Sequence, residues 1–154
     1  MTKPAQRLAD LGLTLPDAPN PLAAYVPSVR AGNLVFVSGQ LPFRDGQLIA
    51  TGPVPSRVSI EQAQEAARQC VLNALAVLAE AVQGDLDRVR RIVRLGVFVA
   101  SDPTFTDQPQ VANGASELLQ DIFGDIGRHA RAAVGSVALP LGATVEVELI
   151  AEVA

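Results

Sequence analysis

The side chains most able to do chemistry lie in the segment from His129 to Ala154, HARAAVGSVALPLGATVEVELIAEVA. Its first half, Ala130–Val137, is small and apolar apart from Arg131. A guanidinium among alanines is suited to bidentate capture of a carboxylate, and equally to an ion pair within the fold. The second half, Thr144–Val153, alternates Val145, Val147 and Leu149 with Glu146 and Glu148, the period of a strand with one buried and one polar face. Either glutamate is a partner for Arg131, and either is an ordinary solvated carboxylate. Leu139-Pro140-Leu141-Gly142 supplies the turn between the two strands. A second place of interest is Ser38-Gly39, where a missing Cβ lets a ligand or another backbone approach closely.

Other chemistries find little support. There is no P-loop, G-x-S-x-G, H-E-x-x-H or G-x-G-x-x-G pattern. His129 is the one histidine, so a serine triad would depend on it, and no nucleophile is seen converging on it; a surface or pocket-rim position is expected. No metal site is expected, because His129 would have to gather carboxylates around it. Cys70 is the single cysteine and falls on an apolar helix stripe, which reads as core.

The elements that must position these groups follow from periodicity. A short helix is expected within residues 4–13, followed by an irregular proline-rich stretch at Pro16, Pro19 and Pro21. Tyr25–Arg30 is extended, Ala31-Gly32-Asn33 turns, and Leu34–Ser38 is a short apolar strand ended by Gly39. Gln47–Thr51 is expected to add a third strand. Ser59 to Gln83 is the clearest helix, with Ser59 and Gln62 forming a capping box and Gly84 ending it. Val89–Ala100 is a strand with Arg91 paired at its surface, and Asp107–Phe123 a second helix with Asn113 off its apolar stripe. The order β-β-β-α-β-α-β-β predicts an α+β domain in which two α-helices cover one face of a mixed β-sheet. The other face, expected to show small apolar residues, then calls for a neighbouring copy.

Composition sets outer bounds. A chain of 154 residues fits one domain that buries about two-thirds of its unfolded surface. Apolar residues make up 49% and charged ones 18%, which describes a globular chain. Twelve basic against sixteen acidic residues give a net charge of −4 and no basic cluster, arguing against nucleic-acid binding. The N-terminus does not read as a signal peptide, and no run approaches the roughly 18 apolar residues of a membrane span. A cytoplasmic location with no membrane partner is the expectation.

Two stretches carry a family resemblance. Asn33-Leu34-Val35-Phe36-Val37-Ser38-Gly39-Gln40-Leu41-Pro42 resembles the GNLVFxSGQxP signature of the RidA/YjgF family. The terminal ARAAVGSVALPLGATVEVELIA is similar to that family's C-terminal signature, and the likeness spans about residues 22–153. Residues 1–21 then read as an N-terminal arm and 22–154 as the family domain. The resemblance implies a chorismate-mutase-like fold, a homotrimer with clefts between subunits, and hydrolytic deamination of 2-imino acids or enamines without cofactor. It likens Arg131 to the family's carboxylate-binding arginine and Glu146 to the glutamate that positions water. By the same likeness Ser38, Gly39, Tyr25, Asn113 and Ala133 line the cleft that takes a small carboxylate substrate. The chain departs from the usual pattern at Ala23-Ala24-Tyr25-Val26-Pro27, at Ala133 where cysteine is common, and at His129 where proline is common. Two other functions remain open on sequence grounds: a non-catalytic binder of small carboxylates, and the endoribonuclease of the family's historical name.

Overall fold

Ser59 starts the longest helix as the capping box requires. Its side chain accepts from the Gln62 backbone N–H while the Gln62 side chain accepts from the Ser59 N–H. The structure is a computed structural model and describes residues 3–20 and 23–154. The elements are α1 (Pro4–Asp10), β1 (Ser28–Ala31), β2 (Leu34–Gln40), β3 (Phe43–Arg44), β4 (Gln47–Leu48), α2 (Ile60–Ala81), β5 (Val89–Ala100), α3 (Gln108–Phe123), β6 (Ala130–Ser136) and β7 (Val145–Val153). The division expected between residues 21 and 22 lies outside the described residues.

Five strands form a mixed sheet in the order β1-β2-β7-β5-β6, in which only β5 and β6 run parallel. α3 makes the crossover that this parallel pair needs. Both long helices cover the same sheet face, where Val35, Val97, Val147 and Leu149 are buried against Leu75, Leu78, Leu118 and Leu119. Cys70 is buried in this core, its Sγ 3.7 Å from the Val145 carbonyl oxygen.

Three expectations need correcting. Gln47–Thr51 does not extend the main sheet: β4 pairs back on β3 in a separate two-stranded ribbon, because Asp45 and Gly46 make a tight turn at positive φ. The uncovered face is not merely small and apolar. Glu146, Glu148 and Arg94 stand on it beside exposed Val29, Phe36 and Val134. Arg91 makes no ion pair among the described residues; Arg94 takes that role with Glu148. A third helix, α1, lies against α3, where Leu8 is buried and Arg7 donates to the Asp121 carbonyl.

α2 and α3 meet at Gly114, where an added Cβ would lie 2.5 Å from the Gln64 carbonyl oxygen and 2.9 Å from its Cα. Both are backbone atoms that cannot swing aside. Gly114→Ala is therefore expected to cost about 1–3 kcal/mol through forced separation of the helices. Denaturant unfolding checks this; an unchanged midpoint would show that the helices separate freely.

Candidate functional site

Strand register decides where each candidate side chain points. Arg131 pairs with Leu95, which pairs with Leu149, and both leucines are core residues, so Arg131 lies on the helix-covered face. It stands at the outer edge of the sheet and is exposed. Ala133, two residues on, lies on the same face, half-buried against the core. β6 is an end strand paired only with β5, which leaves one side of its backbone without a strand partner. The Arg131 Nη1 donates to Asn113 Oδ1 at 2.9 Å and to Ser116 Oγ at 3.1 Å. Both partners are neutral. Among the described residues no carboxylate pairs with this guanidinium.

Glu146 belongs to the opposite face. It pairs in register with Phe98, which pairs with exposed Val134. The carboxylate lies over Gly39, close enough that an added Cβ there would clash with Oε1. β2 changes register between Val37 and Gln40, and this irregularity brings Gly39 beneath Glu146. Glu148, the alternative carboxylate, is engaged with Arg94 at 3.0 Å and lies over Gly96. Glu146 has no cation among the described residues. Burial, then the nearby Glu148 charge, raises its pKa above the ordinary 4.5. Of two carboxylates with identical spacing, one is spent on an ion pair and the other has no cation among the described residues.

Ser38 works one step back from this carboxylate. Its hydroxyl donates to the Val26 carbonyl at 2.7 Å, and its N–H to the Pro27 carbonyl at 2.9 Å. These bonds hold the segment that carries Tyr25, whose ring is exposed. Tyr25 and Gly39 share the lining of a cavity of about 490 Å³ with Gln40, Asn73 and, from the arm, Pro16 and Asn20. Neither Arg131 nor Glu146 lines it. Within one chain the candidates therefore divide: Arg131, bonded to Asn113, and Ala133 lie on the helix-covered face, Glu146 lies over Gly39 on the open face, and Tyr25 lies in the cavity that Gly39 also lines.

His129, expected at the surface or a pocket rim, stands beside Ser116, the partner of Arg131. It is half-buried, with Nδ1 2.7 Å from the Gly127 carbonyl oxygen and Nε2 2.9 Å from Ser116 Oγ. Burial lowers its pKa, and the Arg131 charge adds to that. Ser116 was not singled out in the sequence; it occupies an apolar helix stripe and nothing in its spacing marks it. Among the described residues no three of His, Cys, Asp or Glu gather as metal ligands, and no helix is long and apolar enough to cross a membrane.

A family model described as "YjgF/chorismate_mutase-like, putative endoribonuclease" matches residues 5–153. "Protein TCP17" of Trypanosoma cruzi is 47% identical over 96% of this chain and 92% of its own. The "2-iminobutanoate/2-iminopropanoate deaminase" of Dermatophagoides farinae is 29% identical over 90% of this chain and 92% of its own. The crystal structure of a "putative endoribonuclease" from Shewanella oneidensis superposes with a TM-score of 0.95 at 34% identity, covering 99% of this chain and 100% of that one.

Proposed function

The chain belongs to the YjgF/chorismate-mutase-like family, and from that premise we propose that it hydrolyses 2-imino acids and their enamine tautomers to 2-keto acids and ammonia. The observation that carries this reading is the pair of uncompensated charges. Arg131 is held by neutral side chains alone, and Glu146 is half-buried without a cation. An arginine so held is complementary to a ligand carboxylate. A glutamate whose pKa is raised toward neutrality is a better general base than an ordinary one. The mite relative's name supports the choice of substrate class.

The reaction needs only these groups. Arg131 holds the substrate carboxylate and thereby fixes the adjacent C=N carbon. Glu146 takes a proton from a water as the water oxygen bonds to that carbon; the C=N electron pair moves to nitrogen, and the protonated Glu146 returns the proton there. In the carbinolamine so formed, Glu146 takes the hydroxyl proton as that oxygen forms the keto C=O and the C–N bond breaks, and the proton passes to the departing nitrogen, which leaves as ammonia. In this reading backbone groups near Gly39 and on β6 hold the substrate and the tetrahedral carbinolamine. Imines hydrolyse unaided, so the barrier to be removed is small by enzymatic standards.

Arg131 and Glu146 point to opposite faces of one sheet, so one small substrate meets both only if two copies contribute. Clefts between subunits of a homotrimer, Arg131 from one and Glu146 from the next, satisfy this requirement. The exposed Val29, Phe36 and Val134, at 54%, 41% and 45%, give the open face apolar surface to bury there. An endoribonuclease is less well supported, since the chain carries a net charge of −4 and its one histidine is occupied by Gly127 and Ser116.

Complementation tests both parts of the proposal. Wild-type protein is expected to accelerate 2-iminopropanoate decay, and Arg131→Ala and Glu146→Gln each to lose that acceleration. Unfolding and refolding the two variants together at equal concentration should restore roughly a quarter of wild-type activity, because one cleft in four then receives both intact residues. No acceleration by the wild type removes the deaminase; no recovery on mixing removes the shared cleft. Arg131-dependent binding of a 2-keto acid without turnover would leave a carboxylate-binding protein instead.

A further inference from the structure

The hydrogen bonds around His129 have a single consistent direction. A carbonyl oxygen only accepts, so the 2.7 Å contact with Gly127 places a proton on Nδ1. In a neutral ring Nε2 is then an acceptor, and the Ser116 hydroxyl 2.9 Å away donates to it. With its hydrogen committed, Ser116 Oγ offers lone pairs to the Arg131 Nη1, 3.1 Å away. Asn113 Oδ1 takes the second hydrogen of the same nitrogen. Nη1 is therefore saturated. Among the described residues nothing accepts from Nε or Nη2, whose hydrogens lie on one edge of the guanidinium plane.

We propose that His129 and Ser116 are positioning residues that lock Arg131 so that it presents its Nε/Nη2 edge, side-on, to the ligand carboxylate. The inference rests on the reading of Arg131 as the carboxylate clamp. Ser116 beside a histidine invites comparison with a catalytic serine, but its side chain is only 7% exposed and its oxygen accepts from a cation, which weakens it as a nucleophile. The lowered pKa of His129 agrees with a neutral ring: burial disfavours the imidazolium most, outweighing the Gly127 hydrogen bond that favours it, and the Arg131 charge adds to the lowering. A protonated ring would turn Nε2 into a donor, release the serine hydrogen and set two cations against one oxygen. The arrangement costs the protein nothing in unpaired groups, since every buried side-chain polar atom among the described residues is satisfied. What it provides is a rigid arginine on an exposed strand edge, where a long side chain otherwise samples many rotamers.

The probe is 2-oxobutanoate, a stable product of the proposed reaction, titrated into the wild type and into Ser116→Ala, His129→Ala and Arg131→Ala. Loss of the relay's hydrogen bonds, two in Ser116→Ala and the one to Ser116 in His129→Ala, is expected to weaken binding about 3- to 10-fold in each of the first two. With 2-iminobutanoate as substrate, KM should rise by more than kcat falls. In the Arg131→Ala background, adding Ser116→Ala or His129→Ala should change affinity no further, since the relay then has nothing to hold. Nitrogen-15 spectra should show the Nδ1–H tautomer at neutral pH in the wild type, and in Ser116→Ala as well, because the Gly127 carbonyl still holds that proton. A ring protonated on Nε2 in the wild type, or unchanged affinity in both single variants, overturns the relay alone. Unchanged affinity in Arg131→Ala, or no binding by the wild type, overturns the clamp on which it rests.

Discussion

Arg131→Ala is expected to lower kcat/KM for 2-iminobutanoate by about 100-fold or more while leaving the melting temperature nearly unchanged. The rate loss has two sources. One is the charge-assisted, two-point bond to the carboxylate, on the order of 1.5–3 kcal/mol; the other is the lost orientation of the C=N carbon toward water. A 100-fold loss corresponds to about 2.7 kcal/mol of transition-state stabilisation. Stability is spared because Arg131 is exposed and, among the described residues, bonded only to Asn113 and Ser116, and Ser116 keeps its bond to His129 when the guanidinium is gone. Arg131→Lys retains the charge but not the planar fork, and should recover only part of the loss, about 10-fold below wild type. Initial rates and thermal melts of the three proteins decide it. An Arg131→Ala protein with wild-type kcat/KM ends the clamp reading, and a collapsed melting temperature would reclassify Arg131 as structural.

Which parts of this site were legible in the sequence follows from how local each signal is. The α2 start was readable from Ser59 and Gln62 because a capping box is a four-residue event, and β5 from a run rich in valine and isoleucine bounded by polar turns. β7 declared both its faces through strict alternation. β6 did not. Its Ala-Arg-Ala-Ala-Val-Gly offers no polar/apolar contrast, so the face holding Arg131 emerges only from its register with Leu95. Glu146 and Glu148 are equivalent by spacing; Arg94 separates them, and it reaches Glu148 through the register shift between Ile92 and Arg94. β3 and β4, two residues each, are too short to show any period. The bond between Ser116 and His129 joins a helix to the start of a strand across an intervening turn, and neither residue type announces the other. Local order is written locally, whereas the pairing of faces and the polar relay are properties of the assembled sheet.

Gly39→Ala is expected to reduce kcat/KM about 100-fold, the same loss of rate as Glu146→Gln, with little change in its own stability. Gly39 does not occupy the left-handed region, so alanine suits its backbone. The new Cβ instead meets Glu146, clashing with Oε1 and lying 3.0 Å from Cδ. A carboxylate with no ion pair to break swings aside cheaply, and the position from which it would deliver water is lost. Glu146→Gln keeps the shape and removes the base. The two substitutions disable one function, so the double variant should be no slower than either alone. They differ in stability. Because the folded state holds the Glu146 pKa above 4.5, folding takes up a proton on this group at intermediate pH, and stability falls as pH rises from about 4.5 through the folded value. Above both values the ionised glutamate carries its full desolvation penalty, which glutamine lacks. Glu146→Gln should therefore melt higher than wild type at pH 7, and the difference should vanish below the unfolded pKa. A Gly39→Ala protein of wild-type activity would show that the place over residue 39 is not where the carboxylate acts. A Glu146→Gln protein less stable than wild type at pH 7 would show that the carboxylate serves the fold rather than the reaction.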